Sequence, residues 1–143
     1  MRRTKPANWH ITLRFVGDVP DPMVVSLQRC IRHTTRHLPV EIQFDRIEPF
    51  PKRKRPVVLA ATGAATGALR ALVDDLEQQC TRLGLRADTR DWRCHMTLAR
   101  IRGREPLDID GVDIHAAFTA RRVVLMESAA TGCERDYVPI VSK

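Results

Sequence analysis

Trp9, Ile11, Leu13 and Phe15 alternate with His10, Thr12 and Arg14, a period of two that predicts a strand with one apolar and one polar face. Gly17 and Asp18 close it. Asp21 then Pro22 has the form of an N-cap and first helical position, and Val24, Leu27, Ile31 and Leu38 continue at helical spacing up to Pro39. This predicts a helix of about 17 residues. Residues 40–48 (VEIQFDRIE) alternate again, 49–56 (PFPKRKRP) form a turn, and 57–62 (VVLAAT) have the composition of a buried strand, together a hairpin. Leu69, Leu72, Val73, Leu76, Cys80 and Leu83 fit a period of 3.6 with Gly84 as the stop, the clearest helix of the chain. A strand over Trp92 to Ile101, a loop around 103–111, and strands over 121–128 and 136–141 complete the expectation. The order is strand, helix, two strands, helix, three strands: an α+β chain, mostly antiparallel.

Two of these strands repeat a pattern. His10-Ile11-Thr12-Leu13 returns as His95-Met96-Thr97-Leu98, about 85 residues later. In each copy alternation puts His and Thr on one face, about 7 Å apart at the backbone, with the opposite face left to pack on a helix. With five His and eleven Thr in the chain, one His-x-Thr spacing arises by chance on the order of 0.4 times. Two copies, both followed by Leu and both on alternating segments, carry more weight. A duplicated half-domain, each half being two or three strands with a helix behind, would set the two pairs across a shared cleft.

That arrangement suits attack on phosphorus. In-line displacement puts the entering and leaving oxygens on opposite sides, so a base and an acid must stand on opposite sides too. Imidazole serves either role near neutral pH. The threonine hydroxyls can donate to the non-bridging oxygens where charge accumulates. The scheme requires neither a metal nor a cofactor.

Length and composition set bounds on this reading. At 143 residues, with 43% hydrophobic and 29% charged, the chain suits one domain spanning 1–143. No apolar run approaches a membrane span, and the basic start lacks the apolar segment of a secretory leader, so the expected location is cytoplasmic. Cys30, Cys80, Cys94 and Cys133 show no Cys-x-x-Cys spacing and are expected as free thiols. A net charge of +7 favours polyanionic partners, nucleic acid above all, and no membrane.

The motifs and their surroundings resemble the 2H phosphoesterases, within them the RNA 2′,3′-cyclic phosphodiesterases also called 2′-5′ RNA ligases. The resemblance runs through 8–18 (NWHITLRFVGD), 48–61 (EPFPKRKRPVVLAA), 83–100 (LGLRADTRDWRCHMTLAR) and 123–140 (VVLMESAATGCERDYVPI). It implies two pseudo-symmetric lobes of mostly antiparallel sheet with outer helices around a central cleft. It also implies hydrolysis of a terminal 2′,3′-cyclic phosphate of RNA to a 2′-phosphomonoester, and 2′-5′ ligation as the reverse reaction. On it, His10 protonates the leaving 3′ oxygen, His95 activates water, and Thr12 and Thr97 donate to phosphate. Arg100 resembles the arginine that often closes the second motif. Strict alternation puts Arg100 on the face opposite His95, which only a bulge or the strand's end would reverse.

The chain departs from the resemblance in two places. Members usually carry a strand and a helix ahead of the first motif, and with only nine residues before His10 this chain is expected to lack them. The expected consequence is a bare sheet edge, giving a monomer or a dimer through that edge. Cys94 stands where proline is common, which should alter the strand's start more than its chemistry. Lys52 to Arg55 form a charged hairpin turn that would guide RNA backbone on the functional reading. His33 and His37, four apart, lack a third ligand and are expected, like His115, to be solvated. A different class of function is a non-catalytic RNA-end or nucleotide-binding module of the same fold. Other enzyme targets are 2′-5′ oligoadenylates, ADP-ribose cyclic phosphate or tRNA halves, since specificity lies in loops beside the cleft.

Overall fold

A computed structural model describes residues 1–51, 56–103, 110–131 and 134–140. The Lys52–Arg55 turn and Cys133 therefore lie outside the described residues. The strands are β1 (Arg2–Arg3), β2 (Val40–Phe50), β3 (Val58–Gly63), β4 (Cys94–Arg100), β5 (Val112–Ala120), β6 (Met126–Thr131) and β7 (Glu134–Pro139). The helices are α1 (Asp21–Thr34) and α2 (Gly67–Arg82). The class is α+β, as the periodicities predict. The chain divides into two units, each drawn from three separated segments rather than from one half of the sequence.

The first unit takes Met1–Thr12, Glu41–Thr66 and Asp91–Phe118 and carries the larger sheet, in the order β1-β4-β3-β2-β5. The predicted hairpin is present: β2 pairs antiparallel with β3, Phe50 opposite Val58 and Arg46 opposite Thr62. Strand β3 pairs antiparallel with β4, Thr62 opposite His95 and Ala60 opposite Thr97. On its far side β4 pairs with β1, Arg2 opposite Arg100. Ile42, Phe44, Ala60, Ala61, Cys94 and Ala99 are buried.

The second unit takes Leu13–Val40, Gly67–Arg90 and Thr119–Lys143. Leu27 and Cys30 of α1 pack with Leu76 and Cys80 of α2, and Leu13, Val16, Val19, Met23, Leu83, Leu85 and Leu125 close around them. Both helices lay an apolar row on that cluster, the packing that a 3.6 period promises. Helix α1 ends at Thr34 and passes into a 3₁₀ turn at Thr35–His37, shorter than expected. Its N-cap is Pro20, so Asp21 already lies in the first turn. Gly84 adopts φ +91, the left-handed stop predicted after α2. Strands β6 and β7 form a hairpin, Met126 opposite Pro139. Cys30, Cys80 and Cys94 are free and buried.

Four expectations need correction. Residues 9–15 alternate but carry no strand ladder, because alternation reports which way side chains point and a ladder needs a neighbouring backbone. Strand β5 was not expected. Its alternation of Val112, Ile114, Ala116 and Phe118 is present, but weakened by the paired Ala116 and Ala117 and set at the sheet margin, where most of its residues are exposed. The strand expected over 121–128 begins only at Met126. His37 is not simply solvated: its Nε2 lies 2.8 Å from Asp75 Oδ2, while His33 and His115 are exposed.

Asp75 on α2 also receives Arg36, 3.0 Å away. Burial pushes the Asp75 carboxyl up, but the His37 and Arg36 hydrogen bonds more than offset it and hold the group below the usual carboxylate range. A depressed folded pKa stabilises above the unfolded value of ~3.9 and loses that contribution as pH falls through the folded value. Asp75→Asn is therefore expected to cost on the order of 1 kcal/mol at pH 7. The deficit should shrink toward zero in strong acid, read from urea unfolding at both pH values.

Candidate active site

All four motif side chains, His10, Thr12, His95 and Thr97, belong to the unit that carries the larger sheet. The second pair stands on β4, directly across from Thr62 and Ala60 of β3. The first pair stands on a segment held by hydrogen bonds rather than by a ladder. Thr4 N donates to Leu98 O on β4 at 2.8 Å, and Trp9 N donates to Pro6 O at 3.0 Å. Trp9 Nε1 donates to Thr4 O at 3.2 Å. Trp92 Nε1, three residues ahead of His95, donates to Thr12 O at 3.0 Å. An indole beside one motif thus grips the backbone of the other.

The repetition extends beyond the quoted residues. His10 Nδ1 lies 2.7 Å from Asn8 O, and His95 Nδ1 lies 3.0 Å from Arg93 O. A carbonyl oxygen only accepts, so in both rings Nδ1 carries the proton and donates it to the carbonyl two residues earlier. Each ring is thereby held in one tautomer, with Nε2 as the nitrogen that exchanges a proton. Both histidines are partly buried, Thr97 likewise, and Thr12 is exposed. The carbonyl anchors were not legible in the sequence, since any residue supplies a backbone oxygen.

Strand β4 contains the bulge on which the placement of Arg100 depends. Ala60 faces Thr97 but Leu59 faces Ala99, so Leu98 is an extra residue. An inserted residue shifts the alternation by one. Directly opposed residues share a face, and Arg100 faces Val58, two places along β3 from Ala60. His95, Thr97 and Arg100 therefore project from one face, against the strict alternation of the sequence. Arg2, opposite Arg100, joins them.

That face carries further side chains that the sequence reading did not single out. Phe50 stacks on the His95 ring, centroids 4.2 Å apart and planes 19° from parallel. The Arg93 guanidinium lies 5.8 Å from the Phe50 centroid, within cation–π range. Glu48 is buried at 4% exposure and accepts a hydrogen bond from Thr62 Oγ1 at 2.9 Å. Arg46 lies 3.6 Å from the same carboxylate and reaches Asp113 at 2.6 Å. A period-two count along 40–50 would have put Glu48 and Phe50 on one face, but not shown which face held histidine.

Cys94 points to the opposite side from His95, is buried, and has its thiol pushed up to about 11 by desolvation. It is a core side chain and not a nucleophile. Among the described residues no group of three or more His, Cys, Asp or Glu side chains is placed to hold a metal ion. Nor is any helix among them long and apolar enough to cross a membrane.

One histidine–threonine pair thus stands on β4 and the other on a segment without a strand ladder, and each imidazole is anchored through Nδ1. The chain belongs to the 2′-5′ RNA ligase superfamily, whose sequence model matches residues 4–131. It is 32% identical over 108 residues to an RNA 2′,3′-cyclic phosphodiesterase of Aeropyrum pernix, a match covering 75% of this chain and 61% of that one. The fold is that of TT0787 of Thermus thermophilus, with a TM-score of 0.85, 21% identity, and coverage of 98% and 79% of the two chains. It is likewise that of E. coli LigT complexed with 3′-AMP, with a TM-score of 0.75, 20% identity, and coverage of 98% and 78%. The chain spans about three-fifths of the length of the curated relatives it matches first.

Proposed function

We propose that this chain hydrolyses the terminal 2′,3′-cyclic phosphate of RNA to a 2′-phosphomonoester, with His10 and His95 as acid and base and no metal ion. The observation that carries the reading is the matched anchoring of the two imidazoles on the carbonyls of Asn8 and Arg93. A packed histidine needs no such symmetry. An acid and a base acting on one phosphorus each need a fixed ring with Nε2 presented. The name of the A. pernix relative supports the substrate.

In this mechanism His95 Nε2 takes a proton from water as its oxygen bonds to phosphorus. The P–O3′ bond breaks, and His10 Nε2 delivers its proton to the departing O3′. Thr12 and Thr97 hydroxyls donate to the non-bridging oxygens as charge builds there, and Arg100 supplies a cationic phosphate contact. With a 5′-hydroxyl in place of water, the same steps form a 2′-5′ linkage. A non-catalytic RNA-end binder of the same fold would hold the phosphate without the acid–base pair, and retention of both histidines weighs against it. The partner on this reading is an RNA or nucleotide with a cyclic phosphate end, and the working compartment is the cytoplasm.

Incubation with a 2′,3′-cyclic nucleotide in excess chelator tests the proposal. Turnover should persist at the rate seen without chelator. Complete loss in chelator would replace the two-histidine mechanism by metal-assisted hydrolysis.

A further inference from the structure

The hydrogen bond from Nδ1 fixes the tautomer of His95 and one edge of its ring. A single hydrogen bond still leaves an imidazole free to pivot about it. Taking a proton from an attacking water asks for more, because the lone pair of Nε2 lies in the ring plane and must be aimed at that water. A second restraint comes from another strand. Phe50 of β2 lies face to face with the His95 ring, centroids 4.2 Å apart and planes 19° from parallel.

Alternation along β2 puts Ile42, Phe44, Arg46, Glu48 and Phe50 on one side. Ile42 and Phe44 belong to the core. The row turns polar at Arg46, and an aromatic ring returns only at the strand's end, where Phe50 is partly buried. In the ladders Phe50 faces Val58 and His95 faces Thr62, so the diagonal between them crosses β3 at Ala60. A methyl group leaves that crossing open, and a longer side chain would stand between the rings. Arg93 closes the arrangement. Its carbonyl oxygen lies 3.0 Å from His95 Nδ1, and its guanidinium lies 5.8 Å from the Phe50 centroid. One residue thus holds the edge of the imidazole through its backbone and steadies the ring beneath it through its side chain.

We infer that Phe50 is a positioning residue for His95, fixing the plane of the imidazole so that Nε2 points to the attacking water, with Arg93 holding Phe50 in turn. The inference rests on the reading of His95 as the general base. Phe50 acts through His95 and touches no reacting atom, so its loss slows the chemical step and leaves substrate binding in place. A ring that only filled the end of the sheet would contribute equally with His95 present or absent.

A double-mutant cycle tests this. Phe50→Leu, which keeps apolar bulk without an aromatic face, should lower kcat on a 2′,3′-cyclic nucleotide about tenfold, with KM within about twofold of the parent. Phe50→Tyr, which keeps the ring, should return most of that rate. In a His95→Ala background Phe50→Leu should cost less than about twofold, since the group it positions is gone. Arg93→Gln, at an exposed side chain, should lower kcat about threefold by the same route and runs the same cycle should Phe50→Leu fail to fold. Proton NMR of the unliganded chain provides a readout that needs no turnover. The ring current of Phe50 should shift the His95 ring protons upfield, a displacement lost in Phe50→Leu and kept in Phe50→Tyr. Equal losses with and without His95, or His95 ring protons unmoved by Phe50→Leu, would overturn the inference while leaving His95 as the base. Undiminished activity of His95→Ala alone would instead overturn the reading of His95 as the base, and the positioning role with it.

Discussion

Replacing His10 or His95 with alanine is expected to lower kcat by about 10²–10⁴-fold, the usual worth of one positioned acid or base. The two effects should not add, because each ring acts only when the other completes the transfer. Removing both should cost little more than removing one. Thr12→Val and Thr97→Val should cost less, since each removes one donor to a charge that other groups also stabilise. The unsubstituted chain should give a bell-shaped rate profile against pH, and each histidine variant should lose one limb. Circular dichroism and melting temperature should stay close to those of the parent, as both rings are only partly buried. Activity of His95→Ala within about threefold of the parent would remove His95 from the chemistry.

The largest effect on stability is expected at Gly63. It closes β3, opposite Cys94, and a Cβ there would lie 1.9 Å from the Gln43 carbonyl oxygen and 2.9 Å from its carbon. The obstacle is backbone, which cannot swing aside as a side chain can. Gly63→Ala must therefore force β2 and β3 apart, at a cost of roughly 3–5 kcal/mol, the range reserved for a forced core rearrangement. The melting temperature should fall by roughly 10 °C or more. Gly67 provides the control: a Cβ there meets nothing within 4 Å, and the residue begins α2. Gly67→Ala should leave the melting temperature within about 2 °C of the parent or raise it. Equal melting temperatures for the two variants would contradict the close approach of Gln43 to Gly63.

Much of this was legible in the sequence, for identifiable reasons. The row Leu69, Leu72, Val73, Leu76 and Cys80 is buried as a 3.6 period requires. Strand β4 was legible because His95 and Thr97 alternate with buried or partly buried neighbours. What escaped depends on partners that alternation does not encode. Residues 9–15 have the pattern of a strand but are tied by Trp92, Thr4 and Pro6 instead of a ladder. The face of Arg100 turns on the inserted Leu98, and a bulge is a property of two strands in register, not of one. The stack of Phe50 on His95 joins residues from β2 and β4, which are separated in the sheet by β3. The shared tautomer of the two histidines rests on backbone carbonyls, which leave no trace in a list of side chains.

The central claim is that two anchored imidazoles open a cyclic phosphate at its 3′ oxygen. It is tested most directly by treating a short RNA ending in a 2′,3′-cyclic phosphate with the chain in excess chelator and locating the phosphate in the product by phosphorus NMR. The account predicts a 2′-phosphomonoester from the unsubstituted chain, and from His10→Ala and His95→Ala a yield lower by roughly a hundredfold or more over the same interval. A 3′-phosphomonoester, or the 2′ product formed at an undiminished rate by either histidine variant, would contradict it.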